Sequence, residues 1–129
     1  MKKINLLLLI ICLLQFSSCN LSYGKKVKIN DSLEVYIKGD SVTEDDGRKL
    51  GNYLAELWKN AHNEKSLQLA KENGAYIVRM VVDEKMVKQD TSLNASFEAV
   101  KSLLKTEVFK TDKIKFIITD NQFNDIKSF

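Results

Sequence analysis

Two strand-like runs, Lys65 to Ala70 and Ala75 to Asp83, flank the tetrad Lys71-Glu72-Asn73-Gly74. Asn-Gly readily adopts the left-handed backbone that a tight hairpin turn needs, so the two runs are expected to pair antiparallel. In the second run Tyr76, Val78, Met80 and Val82 share one face, and Ile77, Arg79 and Val81 take the other. A strand apolar on nearly both faces belongs in the middle of its sheet. The chain is therefore expected to fold around a sheet, and its remaining segments must supply the neighbours and the cover.

The segment from Val27 to Gly39 alternates, with Val27, Ile29, Leu33, Val35 and Ile37 on one side and Lys28, Glu34 and Lys38 between them. Period-two alternation reads as strand. Asn30-Asp31-Ser32 breaks the pattern with turn-forming residues, so two readings stand for Lys25 to Ile29: a separate short strand, or the bulged beginning of the same one. Thr43-Glu44-Asp45-Asp46 then starts a helix, with a capping hydroxyl and three carboxylates facing the positive end of the helix dipole. Leu50, Leu54, Leu57 and Ala61 form its buried stripe, flanked by Tyr53 and Trp58. Gly47 and Gly51 lie beside that stripe. Each costs a helix about 1 kcal/mol relative to alanine, and close approach of the helix to the sheet is the expected compensation.

A second helix is predicted from a cap at Thr91 or Ser92, with Leu93, Phe97, Val100, Leu104 and Val108 on one stripe. Lys113 to Thr119 alternates as a last strand. In the tail, Phe123, Ile126 and Phe129 are spaced for one face of a helical turn. The order strand, helix, strand, strand, helix, strand contains two β-α-β units. Right-handed crossovers would set both helices on one face of a four-stranded antiparallel sheet, the ferredoxin-like α+β arrangement βαββαβ, with the first and third strands central. A short extra N-terminal strand and a C-terminal tail element would be additions to it.

The N-terminus carries a different kind of signal. Lys2 and Lys3 precede the apolar run Leu6 to Leu14, then Phe16-Ser17-Ser18-Cys19. A basic start, about ten apolar residues and small residues before a cut make an export signal, whereas a spanning helix needs about 20 apolar residues. Two small residues followed by cysteine resemble the lipobox of bacterial lipoproteins, with Phe16 in place of the usual leucine. The resemblance implies that Cys19 receives diacylglycerol, carries palmitate-type acyl chains and becomes the new N-terminus. The expected organisation is a signal peptide over 1–18, a lipidated tether over 19–26 and one α+β domain over 27–129. Asn20 is not the aspartate associated with inner-membrane retention, so an outer-membrane anchor facing the periplasm is the expected address.

Removal of the signal takes away two lysines and no acids, so the formal charge of +3 falls to near neutrality. A near-neutral exported domain lacks the basic footprint of a nucleic-acid binder, and nucleic acid is not expected as a partner. Of the two cysteines, Cys12 leaves with the signal and Cys19 is consumed by lipid. Thiol chemistry and cysteine-based metal sites are thereby excluded.

Candidate chemistry is sparse. His62 is the only imidazole, near the end of the first helix, where its interaction with the dipole explains it; one histidine cannot build a His-rich zinc site. Glu44, Asp45 and Asp46 are explained by the helix start, and they lack the spacing of a calcium loop. Motifs for a nucleophilic serine or a phosphate-cradling glycine loop do not occur. Neither a catalytic centre, a cofactor nor a metal is expected. The suggestive feature is the sheet face opposite the helices, where Tyr36, Ile77, Val81 and Ile117 form an aliphatic and aromatic strip accompanied by the polar residues Glu34, Gln68, Arg79 and Lys115; Tyr36, Ile77, Arg79, Val81 and Ile117 are the candidate interaction face. It suits contact with an envelope protein, or alternatively cover by the tail or by the Lys25 to Ile29 segment.

The segments Glu34-Val35-Tyr36, Val42-Thr43, Leu50-Gly51-Asn52-Tyr53-Leu54, Ser66-Leu67-Gln68-Leu69, Tyr76 to Asp83, Val108-Phe109 and Phe123-Asn124-Asp125-Ile126-Lys127 together resemble a group of small uncharacterised bacterial domains. These are met as lipoproteins in Bacteroidota-like genomes and appended to membrane proteins elsewhere. The resemblance implies no activity and transfers no catalytic residue. The function expected is that of a non-enzymatic, membrane-anchored interaction or accessory module. Small-ligand binding or toxin immunity is the alternative, which a concave pocket beside Tyr53 and Trp58 would favour.

Overall fold

The computed structural model describes residues 23–129. Its elements are β1 (Lys25–Asn30), β2 (Leu33–Ile37), α1 (Glu44–Leu57), β3 (Lys65–Glu72), β4 (Ala75–Val81), α2 (Glu84–Gln89), α3 (Leu93–Leu103), a π-helical turn (Leu104–Val108), β5 (Ile114–Thr119) and β6 (Asp125–Ser128). The class is mixed α+β. The expected signal peptide over 1–18 and the expected lipidation site Cys19 lie outside the described residues. Lys25 and Lys26, which the expected tether over 19–26 shares with the possible short strand from Lys25 to Ile29, open β1.

The sheet has six strands among the described residues, in the order β1-β2-β3-β4-β5-β6. β1–β2, β3–β4 and β5–β6 are antiparallel, while β2–β3 and β4–β5 are parallel. The ferredoxin-like four-stranded antiparallel arrangement is therefore corrected to a mixed sheet in sequential order. In the ferredoxin-like pattern each crossover skips over a strand; here β2 returns through α1 directly onto its parallel neighbour β3, and β4 does the same onto β5. Crossovers that skip a strand and crossovers that do not have the same periodicity, so the element order alone does not distinguish them. The central pair is the β3–β4 hairpin rather than the first and third predicted strands.

That hairpin forms where the Asn-Gly signal placed it. Asn73 and Gly74 both have positive φ, at 51° and 79°, as a type I′ turn requires. The Asn30-Asp31-Ser32 interruption is a genuine turn, so β1 is a separate edge strand; Ser32 N donates to the Asn30 side chain at 2.8 Å. The tail is also strand rather than helical turn. β6 pairs with β5 through Ile117↔Ser128 and Ile118↔Lys127, and an irregularity at Thr119 separates Phe123 from Ile126 and Phe129.

Both long helices cover one sheet face. Leu50 and Leu54 of α1, Phe97 of α3, and Leu104 and Val108 of the π-helical turn share one core with Val35, Leu67, Leu69, Val78, Phe116 and Ile118. α1 begins with a reciprocal cap, Thr43 Oγ1 accepting from Asp46 N at 3.1 Å and Asp46 Oδ2 accepting from Thr43 N at 2.9 Å. It ends at Leu57, one turn short of the predicted Ala61. Asp83, expected within a strand, instead caps α2 by accepting from Lys85 N at 2.9 Å. The glycines of α1 lie against the sheet: a Cβ on Gly47 would stand 2.4 Å from Ile37 Cδ1, and one on Gly51 2.4 Å from Ile29 Cγ1.

Candidate interaction face

Strand register places Tyr36, Gln68, Arg79 and Ile117 side by side across β2, β3, β4 and β5. They point away from the helices, and Ile77 and Val81 flank them on β4. The five predicted face residues thus share one side of the sheet, with unequal access. Ile77 is 3% and Ile117 6% exposed, forming a small buried cluster with Ala70. Tyr36, Arg79 and Val81 are half-buried.

Two aromatic residues outside the predicted strip join Tyr36. Tyr23 and Phe123 each meet the Tyr36 ring edge to face, at 6.0 and 5.6 Å between centroids, and meet each other at 5.5 Å. Gly24 sets Tyr23 there. Its φ is +103°, and any Cβ would stand 2.2 Å from the Ile37 carbonyl oxygen, so only glycine allows the chain to enter β1 at this angle. Tyr23 is held further by its carbonyl, which accepts from Gln68 Nε2 at 3.0 Å. Phe123 also has positive φ, at 59°. A left-handed backbone costs a residue with a Cβ about 1–2 kcal/mol; two edge-to-face contacts of about 0.5–1.5 kcal/mol each are of the size to offset it.

Asp120 fastens the loop that carries Phe123. Its carboxylate accepts from Asn124 N and Gln122 N, both at 2.9 Å, and from Asn124 Nδ2 at 3.0 Å. These bonds, those from Asn124 first, hold its pKa below the usual carboxylate value.

Two ion pairs flank the triad. Glu34 accepts from Tyr36 OH at 3.1 Å and Ser66 Oγ at 3.0 Å, and pairs with Lys26 Nζ at 2.7 Å. Burial pushes the Glu34 pKa up, but these hydrogen bonds and the Lys26 charge outweigh it, and the net shift is downward. Tyr36 is raised by burial and then by the neighbouring Glu34 carboxylate; Lys26 is raised by its hydrogen bond and attraction to Glu34. Arg79 Nε donates to Asp125 Oδ1 at 2.7 Å, with Nη2 at 3.4 Å from Oδ2. Two buried polar atoms of the row, Gln68 Oε1 and Arg79 Nη1, have no hydrogen-bond partner. An open cleft of about 1080 Å³ runs beside the triad, lined by Tyr23, Lys25, Lys26, Tyr36, Asp40 and Glu44 among others.

Other sequence candidates stay dispersed. His62 lies exposed in the loop after α1. Among the described residues, no group of three or more His, Cys, Asp or Glu side chains is placed to hold a metal ion. Trp58 and Tyr53 line separate hollows of about 260 and 360 Å³ rather than one pocket. Sequence reasoning missed Tyr23, Phe123 and Asp125. Tyr23 falls in what reads as tether, and the other two fall where the spacing suggested a helical turn.

The fold and this face define a small mixed α+β domain with an aromatic cluster on the side opposite its helices. The chain belongs to an uncharacterised domain family: a family model described as a family N-terminal domain matches residues 26–128. No curated protein and no solved structure matches the chain. No helix among the described residues is long and apolar enough to cross a membrane.

Proposed function

We propose that the chain is a lipoprotein anchored through Cys19 to the periplasmic side of an outer membrane. In this reading it acts without catalysis, as an interaction or accessory module that presents the Tyr23–Tyr36–Phe123 triad to an envelope protein. The observation that carries the proposal is the triad itself. Three rings are gathered on the helix-free face at the cost of a left-handed backbone at Phe123. Strain of this kind is retained where a side chain must be held in a given place. Aromatic residues and arginine are also the types enriched at protein interfaces.

The test is photocrosslinking in the native envelope, with a photoreactive phenylalanine analogue in place of Tyr36 or, as control, Ser102 on the helix side. The expected result is a discrete protein adduct from position 36 alone, lost in the Cys19→Ser variant because the protein no longer reaches its membrane. Equal adducts from both positions, or none from position 36 of a folded protein, would overturn the proposal.

A further inference from the structure

We infer that the triad faces the bilayer, so that the partner it contacts is a protein embedded in the same membrane. This inference rests on the lipid anchor at Cys19. Four peptide links join Cys19 to Tyr23, a reach of at most about 14 Å when fully extended. A domain of about 100 residues has a radius of gyration of about 13 Å and is roughly 30 Å across, so a tether of this length cannot carry the anchor round to the opposite side. Tyr23 is seated on the helix-free face by its ring contacts and by the bond from Gln68 to its carbonyl. The attachment point, the triad and the adjoining cleft therefore share the membrane-proximal corner, while α3 lies on the far side of the sheet.

Charge decides between lipid and protein as the occupant. Juxtamembrane segments that grip anionic headgroups do so with an excess of lysine and arginine. At this corner four cations are paired with acids: Lys25 with Glu44 at 3.2 Å, Lys26 with Glu34 at 2.7 Å, Lys28 with Asp31 at 3.2 Å and Arg79 with Asp125 at 2.7 Å. Lys38 and Lys115 form no salt bridge among the described residues, and Asp40 of the cleft and Asp120 of the Phe123 loop balance them, so no basic excess remains. A charge-matched, aromatic-centred surface beside a cleft fits a protein contact.

The experiment uses the full lipidated chain. Neither cysteine of the sequence leaves a free thiol after processing and lipidation, so Gln122→Cys, beside Phe123, and Ser102→Cys, on α3, each provide a single site for a fluorophore. In phosphatidylcholine vesicles carrying a spin label on the headgroup, the fluorophore at 122 is expected to be quenched several-fold more than that at 102. Twenty Gly/Ser residues inserted between Ser22 and Tyr23 should remove the difference. In envelopes, the adduct from position 36 is expected to contain a polypeptide with membrane-spanning segments, identified by mass spectrometry.

Equal quenching, or stronger quenching at 102, in protein whose intact mass confirms the lipid overturns the orientation and leaves the anchor standing. An unlipidated Cys19 overturns both. A lipid-only adduct, or capture of a protein without membrane-spanning segments, overturns the assignment of the partner.

Discussion

Gly51 of α1 lies directly over Ile29 of β1: a Cβ on the glycine would stand 2.4 Å from Ile29 Cγ1 and 2.5 Å from its Cδ1, with Val35 Cγ2 at 3.2 Å. The helix is thereby drawn down onto the first hairpin. Gly51→Ala is accordingly expected to destabilise the domain by about 1–3 kcal/mol through overpacking, against a helix-propensity gain of about 1 kcal/mol. Gly47→Ala should cost less, because only one atom, the terminal methyl Cδ1 of Ile37, lies closer than 3.4 Å to the added Cβ, against three atoms at Gly51. Denaturant unfolding of both variants and of Gly51→Ala/Ile29→Ala checks this. The double variant should lose less than the sum of its parts, since the two sites share one contact.

The Glu34 cluster predicts a pH dependence with opposite signs at its two ends. Glu34 has a lowered pKa when folded, so its stabilising effect is present above the ordinary value of 4.5 and is lost as pH falls through the folded value. Tyr36 and Lys26 are raised, so their contributions are complete below 10.0 and 10.5 and disappear as pH rises through the folded values. Glu34→Gln should flatten the acid side of the stability profile and bring the Tyr36 titration back toward its ordinary value. The loss at neutral pH should be about 1 kcal/mol, as for a partly exposed hydrogen-bonded pair. An unchanged Tyr36 absorbance titration would contradict the coupling.

At Phe123 the ring and the backbone pull in opposite directions. Phe123→Ala loses the aromatic contacts and keeps the strained conformation, whereas Phe123→Gly loses the contacts and relieves a strain of about 1–2 kcal/mol. The glycine variant should therefore be the more stable of the two by about 1 kcal/mol, the reverse of what alanine and glycine do in a helix. Urea midpoints decide it, and an alanine variant at least as stable as the glycine variant would rule out the strain.

Arg79 is the more enclosed partner of its ion pair, its side chain 14% exposed against 49% for Asp125. Asp125→Ala leaves that guanidinium without its main acceptor and should cost about 1–3 kcal/mol. Arg79→Met, which removes the charge but keeps an apolar stem, should cost less. Thermal unfolding of the two variants gives the comparison.

Much of the local structure was legible because single residues dictate it. Asn73-Gly74 demanded a tight turn, Thr43 with Asp46 demanded a helix start, and the two helical glycines announced a close approach to the sheet. The overall topology was not legible. A crossover from β2 through α1 lands on an adjacent parallel strand or skips one with the same alternation and the same helical stripe, and only packing decides between them. The tail misled for a related reason: Phe123, Ile126 and Phe129 read as one face at helical spacing, but the irregularity at Thr119 sends Phe123 to one side of the sheet and Phe129 to the other, against Phe97 at 5.4 Å. The candidate face was half legible, because alternation gave the strand residues while the two rings that complete the triad come from positions without strand periodicity.

Sequential strand order has a consequence for assembly. Each strand finds its partner in the next one along the chain, so no pairing has to await a distant segment and the entropy of closing large loops is largely avoided. A polypeptide delivered from its N-terminus can thus lay down β1, β2 and β3 over α1 before β5 has arrived, and then add the second half at the exposed edge of β3. Folding by such accretion favours speed, and it leaves Tyr23 waiting, one ring short of its triad, until Phe123 closes over it near the end.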